Sequence, residues 1–168
     1  TTYLYAQWNS ASVKLPTATL PGYTFLGWYD AATGGNKIGD AGDSYTPTAA
    51  KTLYAHWTAN KITVKFDGNG STGGSMTDQQ FTYDTAQALK ANGFSRAYTV
   101  TYNGNFAGKT PTLGATSQTA TYTFKNWNNA AAGNGSYTYT NGQTVTNPNG
   151  ATSGTTYLYA QWNSASVK

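Results

Sequence analysis

The chain has 168 residues, enough for one domain or two small ones, and it contains no cysteine, which excludes disulfide bonds and thiolate metal sites. Its formal net charge of +4 is spread along the sequence, without the basic cluster that nucleic-acid binding requires. No apolar run approaches the ~20 residues that span a bilayer, so we expect no membrane insertion. The abundance of threonine, tyrosine, glycine and asparagine favours strands joined by turns.

The sequence at the start of the chain returns at its end. TTYLYAQWNSASVK occupies 1–14 and recurs unchanged at 155–168, an offset of 154 positions. A window slightly longer than one period of a tandem array begins and ends inside the same element. We therefore expect one period of a longer array, in which 1–9 form the last strand of a preceding repeat and 163–168 begin the next.

Residues 10–57 are predicted to form a short β module. It contains GYTFLGWYD at 22–30 and closes with TLYAHW at 52–57. Because alternate residues of a strand face the same side, one face of each segment can build a core. A small module depends on bulky side chains to bury enough area. The expected core anchors are Tyr23, Phe25, Trp28, Leu53 and Trp57.

A second, longer β module is predicted at 61–162, after a linker at 58–60. Its segments TYTFKNWNN at 121–129 and TYLYAQW at 156–162 repeat the pattern of the first module, and an insertion near 98–120 makes it longer. The same alternation argument applies to its strands. The expected core anchors are Tyr122, Phe124, Trp127, Leu158 and Trp162.

Two local signals in the second module predict further elements. Asp84 could cap one short helix over 84–91, which Asn-Gly would end. The segment 136–147 is predicted to form a hairpin around a two-residue Asn-Gly turn. Such a turn would place Tyr139 opposite Thr144.

The repeated motifs resemble the Listeria–Bacteroides repeat, also called the internalin B-repeat family. The residues that carry the resemblance are GYTFLGWYDAATGG at 22–35, LYAHW at 53–57, ITVKFDGNG at 62–70 and LYAQW at 158–162. The resemblance implies a mainly β fold of two small β-grasp-like modules in tandem. It also implies a bacterial protein that is secreted or attached to the cell wall, with no catalytic residues.

Few residues in the chain could perform chemistry. His56 is the only histidine, and it fills the position that Gln7 and Gln161 fill in the sister motifs, which argues against a general base. We expect no cofactor and no catalytic residue. Carboxylates that could form a loose Ca²⁺ site are Asp40, Asp43 and Asp30.

Two functions remain open from the sequence. The first is a non-catalytic stalk, spacer or adhesin scaffold, whose partners are neighbouring copies of the repeat joined head to tail. The alternative is a module that binds a host glycan or protein through exposed aromatic and amide side chains. The tyrosines that have no counterpart in the first module, and so are free to serve such a site, are Tyr102, Tyr137 and Tyr139.

Overall fold

The structure, a computed structural model, describes residues 1–164. The last four positions of the predicted next repeat, 165–168, lie outside the described residues. The chain divides into two compact units, with unit one at Thr1–Asn60 and unit two from Lys61 onward. Both units are built from strands, which confirms the prediction of a mainly β fold.

Unit one is a small β module with two separate sheets. Its second strand carries the GYTFLGWY motif and pairs antiparallel with the third and fifth strands, while the first pairs antiparallel with the fourth. The strands are β1 (Val13–Lys14), β2 (Tyr23–Tyr29), β3 (Lys37–Gly39), β4 (Ser44–Tyr45) and β5 (Tyr54–Ala59).

The described part of unit two, residues 61–164, contains nine strands and one turn of 3₁₀-helix at Pro148–Gly150. Seven of the strands form one mixed sheet, and the other two pair with each other. The strands are β6 (Lys61–Asp67), β7 (Gly73–Gly74), β8 (Gln79–Thr82), β9 (Gln87–Ala88), β10 (Phe94–Thr101), β11 (Ser117–Asn128), β12 (Thr138–Tyr139), β13 (Thr144–Val145) and β14 (Gly154–Asn163).

The closing strand β14 is the central strand of the large sheet. It runs parallel to β6 and antiparallel to β11, and the sheet order is β7-β10-β11-β14-β6-β8. The first and last strands of the unit, β6 and β14, therefore lie side by side, with β8 outside β6 at one edge and β7 at the other.

The core of unit two comes from alternate residues of neighbouring strands. Ile62 and Val64 on β6 are completely buried, as are Leu158 and Ala160 on β14 and the indole of Trp127 on β11. The period of two places one set of side chains inside and leaves polar residues outside. The remaining buried members of this cluster are Phe81, Leu89, Tyr139 and Val145.

The insertion at 98–120 extends a hairpin of the large sheet. Strands β10 and β11 pair from Arg96 with Tyr122 out to Thr101 with Ser117, and the loop 102–116 joins them. The Arg96 guanidinium lies 4.9 Å from the centre of the Tyr122 ring, a cation–π contact at the base of the hairpin. Most residues beyond this contact are exposed and none is buried, so the hairpin projects away from the core.

The predicted helix at 84–91 is wrong. These residues are all described, and they form a turn followed by β9, which pairs with β13. Asp84 has a left-handed backbone (φ 57°), and its N–H donates to the Asn147 side chain at 2.8 Å instead of starting a helical turn. The Leu89 N–H then donates to the Gln143 carbonyl at 2.9 Å, and the Leu89 side chain is buried in the core.

The predicted hairpin at 136–147 is also wrong, although its turn exists. The Gln143 N–H donates to the Thr140 carbonyl at 3.2 Å, with Gly142 at φ 68°. The two arms pair with different strands, because β12 lies along β11 and β13 lies along β9. Tyr139 is therefore opposite Trp127 and not opposite Thr144.

Two segments at the edges of unit one also differ from the sequence predictions. Residues 1–12 are irregular and exposed, so the strand predicted at 1–9 is not formed here, because no neighbouring strand supplies its hydrogen bonds. Thr58 and Ala59, predicted as linker residues, pair with β2 as part of β5. Asn60 alone separates β5 from β6.

Candidate functional site

The closing strand β14 is paired along its whole length, with β6 over its first part and with β11 over its last part. Its residues Gly154 to Tyr159 pair with β6, and Tyr159 to Asn163 pair with β11. Leu158 and Ala160 point into the core and are completely buried, whereas Tyr157 on the opposite face is 48% exposed. The Trp162 indole N–H donates to the Gly68 carbonyl at 3.0 Å. This strand therefore joins the start of unit two to its end.

An asparagine in the turn after β6 strengthens the same junction. The Asn69 side-chain amide donates to the Ala160 carbonyl at 2.9 Å and to the Ala131 carbonyl at 2.8 Å. Its own N–H donates to the Asp67 carboxylate at 2.7 Å, which closes the turn. The sequence predicts a turn here, but the long-range contacts of Asn69 carry no local signal.

Unit one carries the same closing motif with one neighbour fewer. Strand β5 pairs with β2 in the register that relates β14 to β11, including a bulge at the same place, between Phe25 and Gly27. Within residues 1–164, no strand pairs with the other edge of β5. The hairpin of β6 and β8, which covers that edge and the core face in unit two, has no counterpart in unit one.

An open apolar groove of about 700 Å³ lies in unit one where unit two has a filled core. It is lined in part by Leu15, Trp28 and Leu53. Their counterparts in unit two are Leu89, Trp127 and Leu158, which belong to one cluster with Ile62, Val64 and Phe81. The groove thus reflects the missing first hairpin.

The predicted core anchors separate according to this difference. In unit two, Trp127 and Leu158 are completely buried, and Phe124 and Trp162 pack against the cluster. Tyr122 is half-buried beneath Arg96. Phe25 makes edge contacts with two indole rings, those of Trp28 and Trp57. Every predicted anchor of unit one is nevertheless only half-buried: Tyr23, Phe25, Trp28, Leu53 and Trp57.

Comparison with known proteins bears directly on this motif. Residues 2–56 match the family model of the Listeria-Bacteroides repeat domain. The family resemblance inferred from the motifs is thereby confirmed for this segment, which includes the irregular residues before β1 as well as β1 to β4 and the start of β5.

Two curated proteins share part of the sequence with this chain. Internalin H of Listeria monocytogenes is 47% identical over 74 residues, which are 44% of this chain and 13% of that protein. A putative Gly-rich membrane protein of Evansella cellulosilytica is 35% identical over 71 residues, 42% of this chain and 8% of that protein. The chain thus spans a small fraction of either relative, and no solved structure matches it.

The three tyrosines predicted as a binding site do not lie together. Tyr139 is 8% exposed, and this burial raises the pKa of its phenol, although the Asn149 N–H donates to the hydroxyl at 2.7 Å and acts in the opposite direction. Tyr137 stacks on it at 6.4 Å and remains 41% exposed. Tyr102 lines a separate groove at the end of the insertion, where its hydroxyl donates to Gln118.

The carboxylates proposed for Ca²⁺ each serve a different local contact. Asp40 pairs with Lys37 at 2.7 Å, and this contact raises the pKa of the lysine. Asp43 accepts the Asp40 N–H at 2.7 Å and closes a turn. Asp30 accepts the Asn36 N–H at 2.7 Å, which is the main reason that its pKa lies below the usual value. Within residues 1–164, no three acidic or histidine side chains cluster for a metal ion.

His56 has the structural role that its sister residue suggests. Its ring stacks on Tyr29 at 3.8 Å, and Nε2 lies 2.9 Å from the Ala31 carbonyl oxygen. In the sister motif Gln161 donates to the corresponding Ala130 carbonyl at 3.3 Å. Both side chains therefore hold the turn that follows the Tyr-Thr-Phe-x-x-Trp strand.

Two buried amides that position the strands carried no signal in the sequence. Asn128 is 2% exposed, and its carbonyl oxygen accepts the N–H groups of Ala130 and Gly135. Gln79 is 8% exposed and bonds both the Ala88 carbonyl and the Lys90 N–H. Short polar side chains in a Thr/Asn-rich chain look like surface residues, and only the fold makes them internal ties.

Proposed function

We propose that this chain is a non-catalytic segment of a tandem-repeat array in a bacterial cell-surface or secreted protein. In that array it serves as a stalk or spacer and as a scaffold for adhesion. The observation that carries the proposal is the closing motif. LYAxW recurs in both units, and in unit two it forms the central strand that ties the end of the module to its beginning.

The connection between the units supports a role in continuous arrays. Only Asn60 separates the closing strand β5 from the opening strand β6. The Asn60 N–H donates to the Gly22 carbonyl at 2.9 Å, and its side chain accepts the Thr24 hydroxyl hydrogen bond at 2.6 Å. Asn60 is therefore tied to β2, and no linker longer than this residue separates β5 from β6. Such joints suit a protein whose repeats follow one another closely.

The relatives and the turn chemistry favour the same class of protein. One relative is named an internalin and the other a membrane protein, and both are far longer than this chain. Among the described residues, no helix is long and apolar enough to cross a membrane. His56, Asp30 and Asp43, which we considered for catalysis or metal binding, each hold a turn, and Asp40 pairs with Lys37. A surface array without catalysis accounts for these features together.

Arrays of one, two and four periods of 154 residues test this proposal. We expect the maximum dimension from small-angle X-ray scattering to rise in proportion to the number of periods, and the melting temperature to rise with it. The matched control is the four-period array with Leu158→Asp in every period, which should lose this increase. A four-period array with the dimensions of a compact globule and an unchanged melting temperature would contradict the stalk.

A second candidate function rests on the groove beside Tyr137. This groove of about 410 Å³ has the stacked pair Tyr137 and Tyr139 on one side and hydroxyl and amide side chains such as Thr146 and Asn147 on the other. Aromatic faces with amide neighbours suit a sugar ring. A glycan array probed with multivalent protein tests this candidate. Glycan binding that is lost with Tyr137→Ala and kept with Tyr102→Ala supports this candidate. Glycan binding that is kept by both variants, or lost by both, rejects it.

A further inference from the structure

The same eight residues exist in two different states in one chain. Thr1–Trp8 and Thr155–Trp162 share the sequence TTYLYAQW. The second copy lies in β14, where Leu158 is completely buried. In the first copy Leu4, the counterpart of Leu158, is 96% exposed, and the Trp8 side chain is 89% exposed. The chain therefore carries one paired closing strand and one unpaired duplicate of it.

We propose that the slot between β6 and β11 is a strand-acceptor site, and that its ligand is Thr1–Trp8 of a second copy of this chain. In the exchanged state the N-terminal strand of one copy replaces the closing strand of another. The proposal rests on the duplicated sequence and on the pairing of β14. It does not depend on the proposed stalk function.

Sequence identity means that the exchanged strand can make every contact of the strand that it replaces. Leu4 and Ala6 would enter the core positions of Leu158 and Ala160. Trp8 would donate its indole N–H to the Gly68 carbonyl, as Trp162 does at 3.0 Å. The backbone would pair with β6 in parallel and with β11 antiparallel. Main-chain pairing, with alternate side chains in pockets, is the general basis of strand addition.

The chain's own closing strand competes for the same slot. A tethered strand acts at an effective concentration in the millimolar range, so it should prevail when the protein is dilute. Exchange should become dominant when the intrinsic strand is weakened. The identical duplicate would then be the best available ligand, since the similar segment TLYAHW at 52–57 differs from it at Thr52 and His56 and is paired with β2 over 54–57.

The first experiment uses the full chain with Leu158→Asp. A carboxylate at this completely buried position disfavours docking of the intrinsic strand. We expect light scattering to show molar masses of two or more chains, rising with protein concentration. The matched control is Tyr157→Asp on the exposed face of the same strand, which should stay monomeric.

The second experiment removes the donor from the same background. The full chain with Leu4→Asp and Leu158→Asp should be monomeric, since Leu4 is exposed and its replacement disturbs nothing in the free chain. This double variant should bind a labelled synthetic peptide TTYLYAQWN. The peptide with Leu4→Asp should bind on the order of 100-fold more weakly, because it would bury the carboxylate, whereas the peptide with Tyr3→Asp should bind like the parent.

Three results would overturn the proposal. In the first, the double variant associates as strongly as Leu158→Asp alone, so that association comes from exposed core surface and not from the duplicate strand. In the second, Leu158→Asp stays monomeric at all concentrations while Leu4→Asp unfolds it further, so that the chain fills its own slot. In the third, the parent peptide and the Leu4→Asp peptide bind with equal affinity, which would show that binding does not depend on burial of the leucine side chain.

Discussion

Shortening the leucine of each LYAxW motif measures how far the hairpin of β6 and β8 stabilises a unit. Leu158 is completely buried in the cluster of unit two, while Leu53, at the same place in the motif, is half-buried beside the open groove. Leu→Ala at a fully buried site costs about 3 kcal/mol, which includes the cavity that is left behind. At Leu53 the groove already exists and less area is lost, so we expect a cost of about 1 kcal/mol.

Urea unfolding followed by circular dichroism, with hydrogen exchange assigning the transitions to the units, compares the two variants. With a slope near ~2 kcal/mol per molar urea, Leu158→Ala should lower the midpoint of unit two by about 1.5 M. Leu53→Ala should lower the midpoint of unit one by about 0.5 M. Conservative Leu→Met changes at both sites serve as controls and should cost far less. Equal shifts for the two alanine variants would refute the argument that the first hairpin completes the core.

Three further predictions concern single side chains. Asp30→Asn should remove part of the acid sensitivity of unit one in thermal melts across pH 2 to 6. The Asn36 N–H depresses the pKa of Asp30 in the folded state. The stabilisation by the Asp30 carboxylate is therefore complete above the unfolded-state pKa near 3.8 and is lost as the pH falls through the folded pKa. His56→Gln should change the free energy of unfolding by less than about 0.5 kcal/mol, because Gln161 makes the equivalent contact, and a larger loss by urea titration would contradict the shared role. Arg96→Met should destabilise the inserted hairpin by about 1 kcal/mol, seen as faster amide exchange in β10 with little change in β14.

The sequence alone predicted the strands that contain the repeated motifs. Phe124, Trp127, Leu158 and Trp162 lie in or against the core of unit two, because the period of two in a strand sorts side chains without any knowledge of the neighbours. The motif also identified the family over residues 2–56. Within these segments the local alternation of side chains is enough to specify a strand.

The errors arose where distant strands decide the structure. Asn141 and Gly142 signal a turn, but the turn does not reveal that its two arms join β11 and β9. Residues 84–91 begin with a residue that often caps a helix, yet Gln87 and Ala88 pair with β13 and form the strand β9. The half-burial of Trp28 depends on a hairpin that unit one lacks, and no feature of the GYTFLGWY motif itself records that absence.

The two copies of TTYLYAQW also separate the effect of neighbours from that of sequence. Identical residues have identical intrinsic strand propensity, yet one copy is the centre of a sheet and the other is irregular and exposed. Pairing with β6 and then with β11, together with burial of Leu158 and Ala160, accounts for the difference. The closing motif is therefore a strand only where a slot exists for it.

Hydrogen exchange in the unmodified chain at low micromolar concentration tests this claim most directly, because the two copies share the same sequence-dependent intrinsic rates. The copies can be distinguished in peptides that include their unlike flanking residues. The account predicts that amides of Tyr157–Trp162 exchange at least about 1,000-fold more slowly than those of Tyr3–Trp8, which should exchange near the intrinsic rate. Equal protection of the two copies would contradict the account.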